Sequence, residues 1–436
     1  MSLVHDAPPG SSRSEAAARL LAAGCPLRVM KFGGTSVGDI ERVRKVAARV
    51  EQHVRGGEKA VVVVSAMGRT TDRLISQARE ASPRPSRREL DALLATGEQQ
   101  SAALVTLALQ ARGVAARSFT GAQAGFLTDS NHGAARILRV DAGPLEAALA
   151  RVDVAVVAGF QGVDVDGAIT TLGRGGSDTS AVALAAALGA DECEIYTDTD
   201  GVYTTDPHLV PTATRLDVID YAEMLELASH GAKVLHPASV WYARAYGVRV
   251  HVRSSFTHAP GTVVTDLATV SEGKMITGKP VTGVALDRGH ARIDLHTVPD
   301  RPGVAAEVFG ALAAQGVSVD MIVQGVRGAG DSRQQMAFIV KREAVPEALE
   351  ALEPVLASLG ATAAVDEDVA KLTVVGIAIG STPGIAARVF EAVASVGANI
   401  EAITSSEVRL SVLIGAEHAE AALAAVHTAF GLDAAA

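Results

Sequence analysis

The chain has 436 residues, 48% hydrophobic and 20% charged, which is ordinary globular composition and too long for one compact core, so two or three domains are expected. A formal net charge of −10 argues against a general nucleic-acid or membrane binder, both polyanionic surfaces, yet leaves room for an anionic substrate where Lys and Arg converge. The two cysteines, Cys25 and Cys193, exclude a disulfide scaffold and fit a reducing cytoplasm, and no apolar run approaches the ~18–20 residues of a membrane span.

Residues 1–27, with Pro8-Pro9-Gly10-Ser11-Ser12 and an Ala-rich stretch, read as an N-terminal extension whose apolar runs are too short for a secretory segment. From Arg28 to about Val264, short apolar runs alternate with helical patterns. Val61–Val64, Val154–Ala158, Glu194–Thr197 and Val248–Val252 are expected strands, several apolar on consecutive residues as buried parallel strands are. In the first helical segment Ile40, Val43, Val46, Ala47, Val50 and Val54 share one face, with Asp39 as N-cap and Gly56-Gly57 as the stop. The alternation predicts one α/β domain over 28–265 with a mostly parallel sheet covered by helices.

Beyond Lys274 the pattern becomes two copies of a smaller unit, expected over 275–360 and 370–436. Pro302 to Ile322 aligns with Pro383 to Ile403 at a constant offset of 81, with Val308/Val389, Phe309/Phe390 and Gly316/Gly397 among the identities. Each copy reads as strand, Pro-Gly turn, amphipathic helix, Gly stop and strand. A duplicated unit of this kind is more often a binding module than a second catalytic domain.

Two glycine-rich segments carry the chemistry. Lys31-Phe32-Gly33-Gly34-Thr35-Ser36 is a strand entering a turn before the Asp39 helix, where free N–H groups and a nearby Lys favour an anion. Taken alone it is equally a tight turn, and the P-loop spacing is absent because the Lys precedes the glycines. The second is Thr170-Thr171-Leu172-Gly173-Arg174-Gly175-Gly176-Ser177-Asp178, running into a helix over Ala181–Leu188 that Ser177 can cap and Gly189 stops. Two anion-ready helix termini on one sheet could face each other across a phosphate chain.

These segments, with Val234-Leu235-His236-Pro237, resemble those of the aspartate kinases in the amino-acid kinase family, and the C-terminal repeats resemble their paired ACT domains. The resemblance covers residues 28–436 and includes Ser65–Asp72, Leu94–Glu98 and Tyr196–Tyr203 in order. It implies an amino-acid kinase fold followed by two ferredoxin-like ACT domains, with ATP and Mg²⁺ (held through the nucleotide rather than by protein ligands) acting on L-aspartate. Lys31, Arg174 and Asp178 are then catalytic, with Asp178 positioning Lys31 or the metal shell. Thr71, Glu98, Arg174, Gly175, Gly176 and Ser177 bind the acceptor, Glu98 taking its ammonium group and Arg174 a carboxylate in a fork that Lys cannot reproduce. Lys31, Phe32, Gly33, Gly34, Ser65, Tyr196, Thr197, Val202, Tyr203, Asp206, Pro207 and Lys233 are implied ATP contacts.

The resemblance also implies effector contacts at Asp300, Gly303, Ser318, Val319, Asp320 and Gln324 in the first repeat and Asn399, Ile400, Ser405 and Ser406 in the second. Lysine, threonine or both would be the effectors, and the ACT domains would assemble a homo-oligomer. Asp, Asn, Ser and Gly also favour such turns for purely local reasons. One departure is His208, where the family usually has an Arg reaching ATP phosphate; His is shorter and mostly neutral at pH 7, which puts nucleotide affinity in question. A catalytically weak, effector-binding paralogue is therefore the alternative, as is a kinase for glutamate, acetylglutamate or a nucleotide. His230, His251 and His290 lie far apart in sequence and read as structural or surface residues.

Overall fold

Val61 to Val64 and Val154 to Ala158 are fully buried, the signature of strands covered on both faces, and the computed structural model places them as neighbouring interior strands of a sheet. It describes residues 26–190, 192–232, 234–267, 280–325 and 333–433. These form two compact units. Of the described residues, the first takes in those up to Val202 together with 215–228 and 234–267; the second consists of 203–214, 229–232 and those from 280 onward.

In the first unit the strands and helices in chain order are β1 (Leu27–Phe32), α1 (Ile40–Arg55), β2 (Lys59–Val64), α2 (Thr70–Ala81), α3 (Arg87–Gln110), β3 (Ala116–Phe119), β4 (Phe126–Thr128), β5 (Ile137–Val140), α4 (Gly143–Leu149), β6 (Val154–Ala158), β7 (Gln161–Val163), β8 (Ile169–Thr171), α5 (Gly176–Leu188), β9 (Glu192–Thr197), β10 (Val218–Asp220), α6 (Tyr221–Ser229), α7 (Pro237–Tyr246), β11 (Arg249–Ser254) and β12 (Thr262–Thr265). The eight-stranded sheet runs β10-β12-β11-β9-β1-β2-β6-β3 and is parallel except between β11 and β12. A small second sheet, β5-β4-β7-β8, belongs to the same unit. As its sequence pattern predicts, α1 begins at Asp39, whose carboxylate accepts from Arg42 N at 2.8 Å.

The chain leaves β1 toward β2 on one side and β9 toward β11 on the other. This makes the carboxyl ends of β1 and β9 a topological switch point, the place where open α/β sheets leave a crevice for a ligand. Alternation along β1 sends Met30 and Phe32 into the core beneath α1 and α3, and Val29 and Lys31 to the face covered by α5.

The second unit contains β13 (Gly283–Asp287), β14 (His290–Pro299), α8 (Val304–Ala314), β15 (Val319–Gln324), β16 (Arg333–Lys341), α9 (Val345–Leu359), β17 (Thr362–Asp366), β18 (Val369–Val375), α10 (Ile385–Ser395), β19 (Ile400–Ser405), β20 (Arg409–Gly415) and α11 (Ala419–Ala429). Both repeats build a βαββα run, with Gly303 and Gly384 as the left-handed residues that start their first helices. The first closes its antiparallel sheet with its own last strand, in the order β15-β16-β14-β17. The second has no such strand and takes β13 instead, in the order β13-β18-β20-β19. So β13, which lies in the stretch expected for the first repeat, completes the second, because an unpaired edge beside β18 needs a partner.

Among the described residues no helix is long and apolar enough to cross a membrane. His230 and His290 are buried, as a structural reading expects. His251, distant in sequence from other donors, comes within 3.2 Å of Glu192, but the carboxylates around it are already met by Arg28 and Arg253 on Glu194 and by Arg249 on Glu192.

Candidate active site

The β1 strand delivers Lys31 to the α5 face, and Asp178 stands in the first turn of α5. Lys31 Nζ lies 2.6 Å from Asp178 Oδ1, with both residues buried. Gly33 closes the corner beyond: its N–H donates to the Tyr196 carbonyl at 3.2 Å, and a Cβ there would come within 3.4 Å of Lys31 Nζ. Gly34 lets the next loop approach, since a Cβ would meet the Ala66 carbonyl at 2.8 Å.

Helix α5 begins one turn earlier than its sequence pattern suggests. Gly175, in the left-handed region at φ 69°, is its N-cap, so Ser177 sits inside the first turn and does not cap the helix. Only glycine fits at 175, because a Cβ would lie 2.0 Å from the His236 ring. No described group accepts from the N–H of Ser177 or Asp178, nor from those of Gly34 and Thr35 across the crevice. Gly159 brings this helix end close to the sheet, where a Cβ would be 2.9 Å from both Ser177 Cβ and Val63 Cγ1.

Glu98 lies behind these turns on α3, and Gly97 allows it: a Cβ at 97 would be 2.9 Å from Ala66 Cβ. Its Oε1 accepts from Ala66 N at 3.1 Å, while Oε2 is buried without a partner among the described residues. Burial pushes this carboxyl up to about 7, and the Ala66 hydrogen bond offsets part of that. Arg174 is exposed just before α5 and makes no side-chain bond with a described residue, leaving its fork open. Thr71 is half-buried at the start of α2, and Ser65, also half-buried, donates its N–H to Phe32 O at 3.1 Å.

The other expected nucleotide residues divide. Phe32 and Tyr196 stack on each other at 4.7 Å between centroids, buried beneath α1 on the face opposite Lys31. Their rings are therefore core residues, and only their backbone reaches the crevice. Thr197 is half-buried at the end of β9, and Val202 is fully buried with its N–H on Thr262 Oγ1. Tyr203, Asp206 and Pro207 belong to the second unit, where Asp206 accepts from His208 N at 2.9 Å. Lys233 lies outside the described residues.

Two residues escaped notice in the sequence. Asp91, seven residues before Glu98 and so on the same face of α3, is buried and accepts from Thr171 N, Thr171 Oγ1, Gly133 N and His132 Nδ1 at 2.6–3.0 Å. It anchors the strand that feeds the Gly173–Gly176 turn. His236 was visible only as part of a motif; its ring covers Gly175, it caps α7 by accepting from Ala238 N, and burial holds it below the ordinary histidine range.

In the second unit Asp300 and Gly303 flank the turn before α8, while Ser318, Gln324, Asn399, Ser405 and Ser406 are exposed and Val319 and Ile400 half-buried. Asp320, one of the expected effector contacts, holds the ammonium of Lys371 at 2.7 Å. Lys371 is only 1% exposed, and a charge so buried needs a counter-ion within the fold.

The amino acid kinase family profile matches residues 26–254, and ACT domain profiles match 293–357 and 372–430. An aspartokinase of Thermus thermophilus is 58% identical over 407 residues, covering 93% of this chain and 99% of that one. The aspartokinase of Pseudomonas aeruginosa is 49% identical over 410 residues, covering 94% and 98%. Among solved structures, E. coli aspartokinase III in complex with aspartate and ADP superposes with a TM-score of 0.75 at 29% identity over 93% of this chain and 99% of that one. The same enzyme in complex with lysine and aspartate gives 0.71, with the same identity and coverage.

Proposed function

Because the chain belongs to the aspartokinases of the amino acid kinase family, we infer that it transfers the γ-phosphoryl group of ATP to the β-carboxylate of L-aspartate, giving 4-phospho-L-aspartate. The observation that carries this reading is the Lys31–Asp178 pair, set between two turns with unmet N–H groups and backed by a buried, half-satisfied carboxylate. A β-carboxylate has an ordinary pKa of about 3.9, so it is already a nucleophile at neutral pH and no general base is needed. Its oxygen bonds to the γ-phosphorus as the bridging oxygen leaves with ADP and the electron pair.

The obstacle is repulsion between two anions. Lys31 supplies a full positive charge at the corner of β1, and the N–H groups of Gly34, Thr35, Ser177 and Asp178 add fixed dipoles where negative charge grows. The cradle suits a nucleotide's phosphates, since it offers the Lys31 ammonium and the unmet N–H groups of two glycine-rich turns. Mg²⁺ carried by those phosphates would supply further neutralisation. Glu98 takes the substrate's ammonium and Arg174 its α-carboxylate, while Thr71 adds a hydroxyl contact. Tyr203, Asp206 and Pro207, with the backbone of Tyr196 and Thr197, we assign to the nucleotide. ADP release measured with aspartate, with glutamate and with no acceptor tests the assignment. Turnover is expected with aspartate alone; equal kcat/KM for glutamate, or no acceptor-dependent turnover, overturns it.

We assign the second unit to feedback control by lysine, threonine or both, and to assembly of a homo-oligomer. Ile322 and Ile403, equivalent in the two repeats, are both large apolar side chains left exposed, as a protein–protein surface would require. An effector acts only by binding one arrangement more tightly than another, and a coupling of about 1–3 kcal/mol is typical. Millimolar lysine and threonine, singly and combined, should then inhibit turnover and shift the melting temperature. Silence in both measurements leaves the repeats as an assembly platform without feedback.

A further inference from the structure

Asp91 is a carboxylate only 1% exposed, and phosphoryl transfer as described above makes no use of it. Its two oxygens meet four donors from two separate segments. Oδ1 accepts from the Thr171 hydroxyl at 2.6 Å. Oδ2 accepts from Thr171 N and Gly133 N, both at 3.0 Å, and from His132 Nδ1 at 2.9 Å, so this ring nitrogen carries the proton. Packing α3 against β8 requires no charge, and a buried carboxylate is costly unless donors meet it. The function of the group therefore lies in what its donors hold.

The donors converge on one arm of the crevice. Thr171 ends β8, and Leu172, Gly173 and Arg174 follow it toward α5. The loop of residues 129–134 lies against this arm: Ala135 N donates to Thr171 O at 2.9 Å, and a Cβ on Gly173 would come within 3.2 Å of Gly133 O. The loop is also shaped from within, since Asp129 Oδ1 accepts from Arg136 N at 3.0 Å and Asn131 Nδ2 donates to Ala134 O at 3.2 Å. Asp91 thus joins helix, loop and arm. Helix α5 is held by other means. Ser180 Oγ donates to Gly176 O at 2.8 Å and accepts from Phe160 N at 3.1 Å, so Asp178 and its pairing with Lys31 do not hang on Asp91. Glu98 follows Asp91 on the same face of α3, about 10 Å along the axis at about 1.5 Å per residue. One rigid helix carries Glu98 directly and, through Asp91, steadies the arm that bears Arg174.

We propose that Asp91 is a positioning residue for the acceptor: through Thr171 and the 129–134 loop it sets the place of Arg174 relative to Glu98. This rests on the kinase reading and on the assignment of Arg174 to the substrate's α-carboxylate. Steady-state kinetics for each substrate and thermal melting of full-length variants test it. Asp91→Ala should raise the KM for aspartate about tenfold, with the KM for ATP and kcat within about twofold of the parent. Asp91→Asn keeps a carbonyl for the three donors on Oδ2, and its amide can donate to the Thr171 hydroxyl, so the KM for aspartate should return to within about twofold. Thr171→Val removes one bond and keeps the branched shape, and should raise that KM about threefold. In an Arg174→Ala background, Asp91→Ala should add nothing to the KM for aspartate, because both changes act through one contact. The proposal is overturned by an unchanged KM for aspartate in folded Asp91→Ala, by additive effects of the two changes, or by Asp91→Asn as impaired as Asp91→Ala. A loss in kcat and in both KM values that follows the melting temperature also overturns it, as that is the mark of a merely structural role. Should Asp91→Ala fail to fold, Thr171→Val, alone and with Arg174→Ala, carries the test. An Arg174→Ala chain with the parental KM for aspartate removes the assignment of Arg174, and the proposal with it. Failure of the kinase reading itself looks different, because the parental chain would then show no aspartate-dependent ADP release.

Discussion

Lys31→Ala and Asp178→Ala are each expected to lower kcat at least about a hundredfold, the scale of losing one preorganised electrostatic contact to a reacting phosphoryl group. The two side chains form a buried pair at 2.6 Å, so each single change also strands a charge. Some loss of stability should accompany the loss of rate, and kinetics alone would not separate the two. The double variant Lys31→Met with Asp178→Asn removes both charges and keeps the volume. Its melting temperature should recover toward that of the parent while kcat stays at the level of the worse single variant. Recovery of kcat together with stability would make the pair a structural feature only. Lys31→Arg should not rescue either, because a branched, planar guanidinium cannot reproduce a compact ammonium.

How much of this could be read from the sequence depends on whether the information is local. Val61 to Val64 and Val154 to Ala158 identify themselves because a strand buried on both faces needs apolar residues at every position. The offset of 81 between Phe309 and Phe390 identifies the duplicated ACT unit for a similar reason, since two copies of one fold need the same turns and core positions. Pairing between distant segments left no such mark. Nothing in Gly283–Asp287 says that it completes the second sheet rather than the first, because an edge strand's partner is set by topology. The same holds for residues 203–214, which interrupt one unit to join the other.

Some signals were present and unread. Period-two alternation requires Phe32 to point away from Lys31, and the parallel register pairs Phe32 with Tyr196, so both rings had to be core when Lys31 was placed in the crevice. Asp91 and Glu98, two helical turns apart, likewise had to share a face of α3. The Ser177 cap failed because a left-handed glycine starts the helix earlier, and a sequence with two consecutive glycines does not say which of them turns.

Glu98→Gln is expected to raise the KM for aspartate about a hundredfold or more and, at the same time, to make the protein more stable above neutral pH. The two effects have one origin. Glu98 is buried with one oxygen on Ala66 N and the other unmet, and desolvation lifts its pKa to about 7. An ammonium group needs the ionised form, so kcat/KM for aspartate should rise with pH and level off above about 7 in the parent, and lose that step in the variant. At saturating aspartate the bound ammonium keeps Glu98 ionised, and kcat should be flat over the same range. The sign for stability is the reverse. The folded-state pKa lies above the unfolded value of about 4.5, so the fold holds the proton more tightly. The stability this provides is fully present below about pH 4.5 and is lost as pH rises through 7, where ionised Glu98 costs the empty enzyme about 3 kcal/mol. Glutamine keeps the shape without that cost. Melting temperatures at pH 5 and pH 8.5 should therefore differ between variant and parent only at the higher value, by several degrees, and added aspartate should narrow the gap by stabilising the parent alone. A variant no more stable than the parent at pH 8.5, or one with an unchanged KM for aspartate, would mean that Glu98 is not the ammonium's partner and that its burial serves packing.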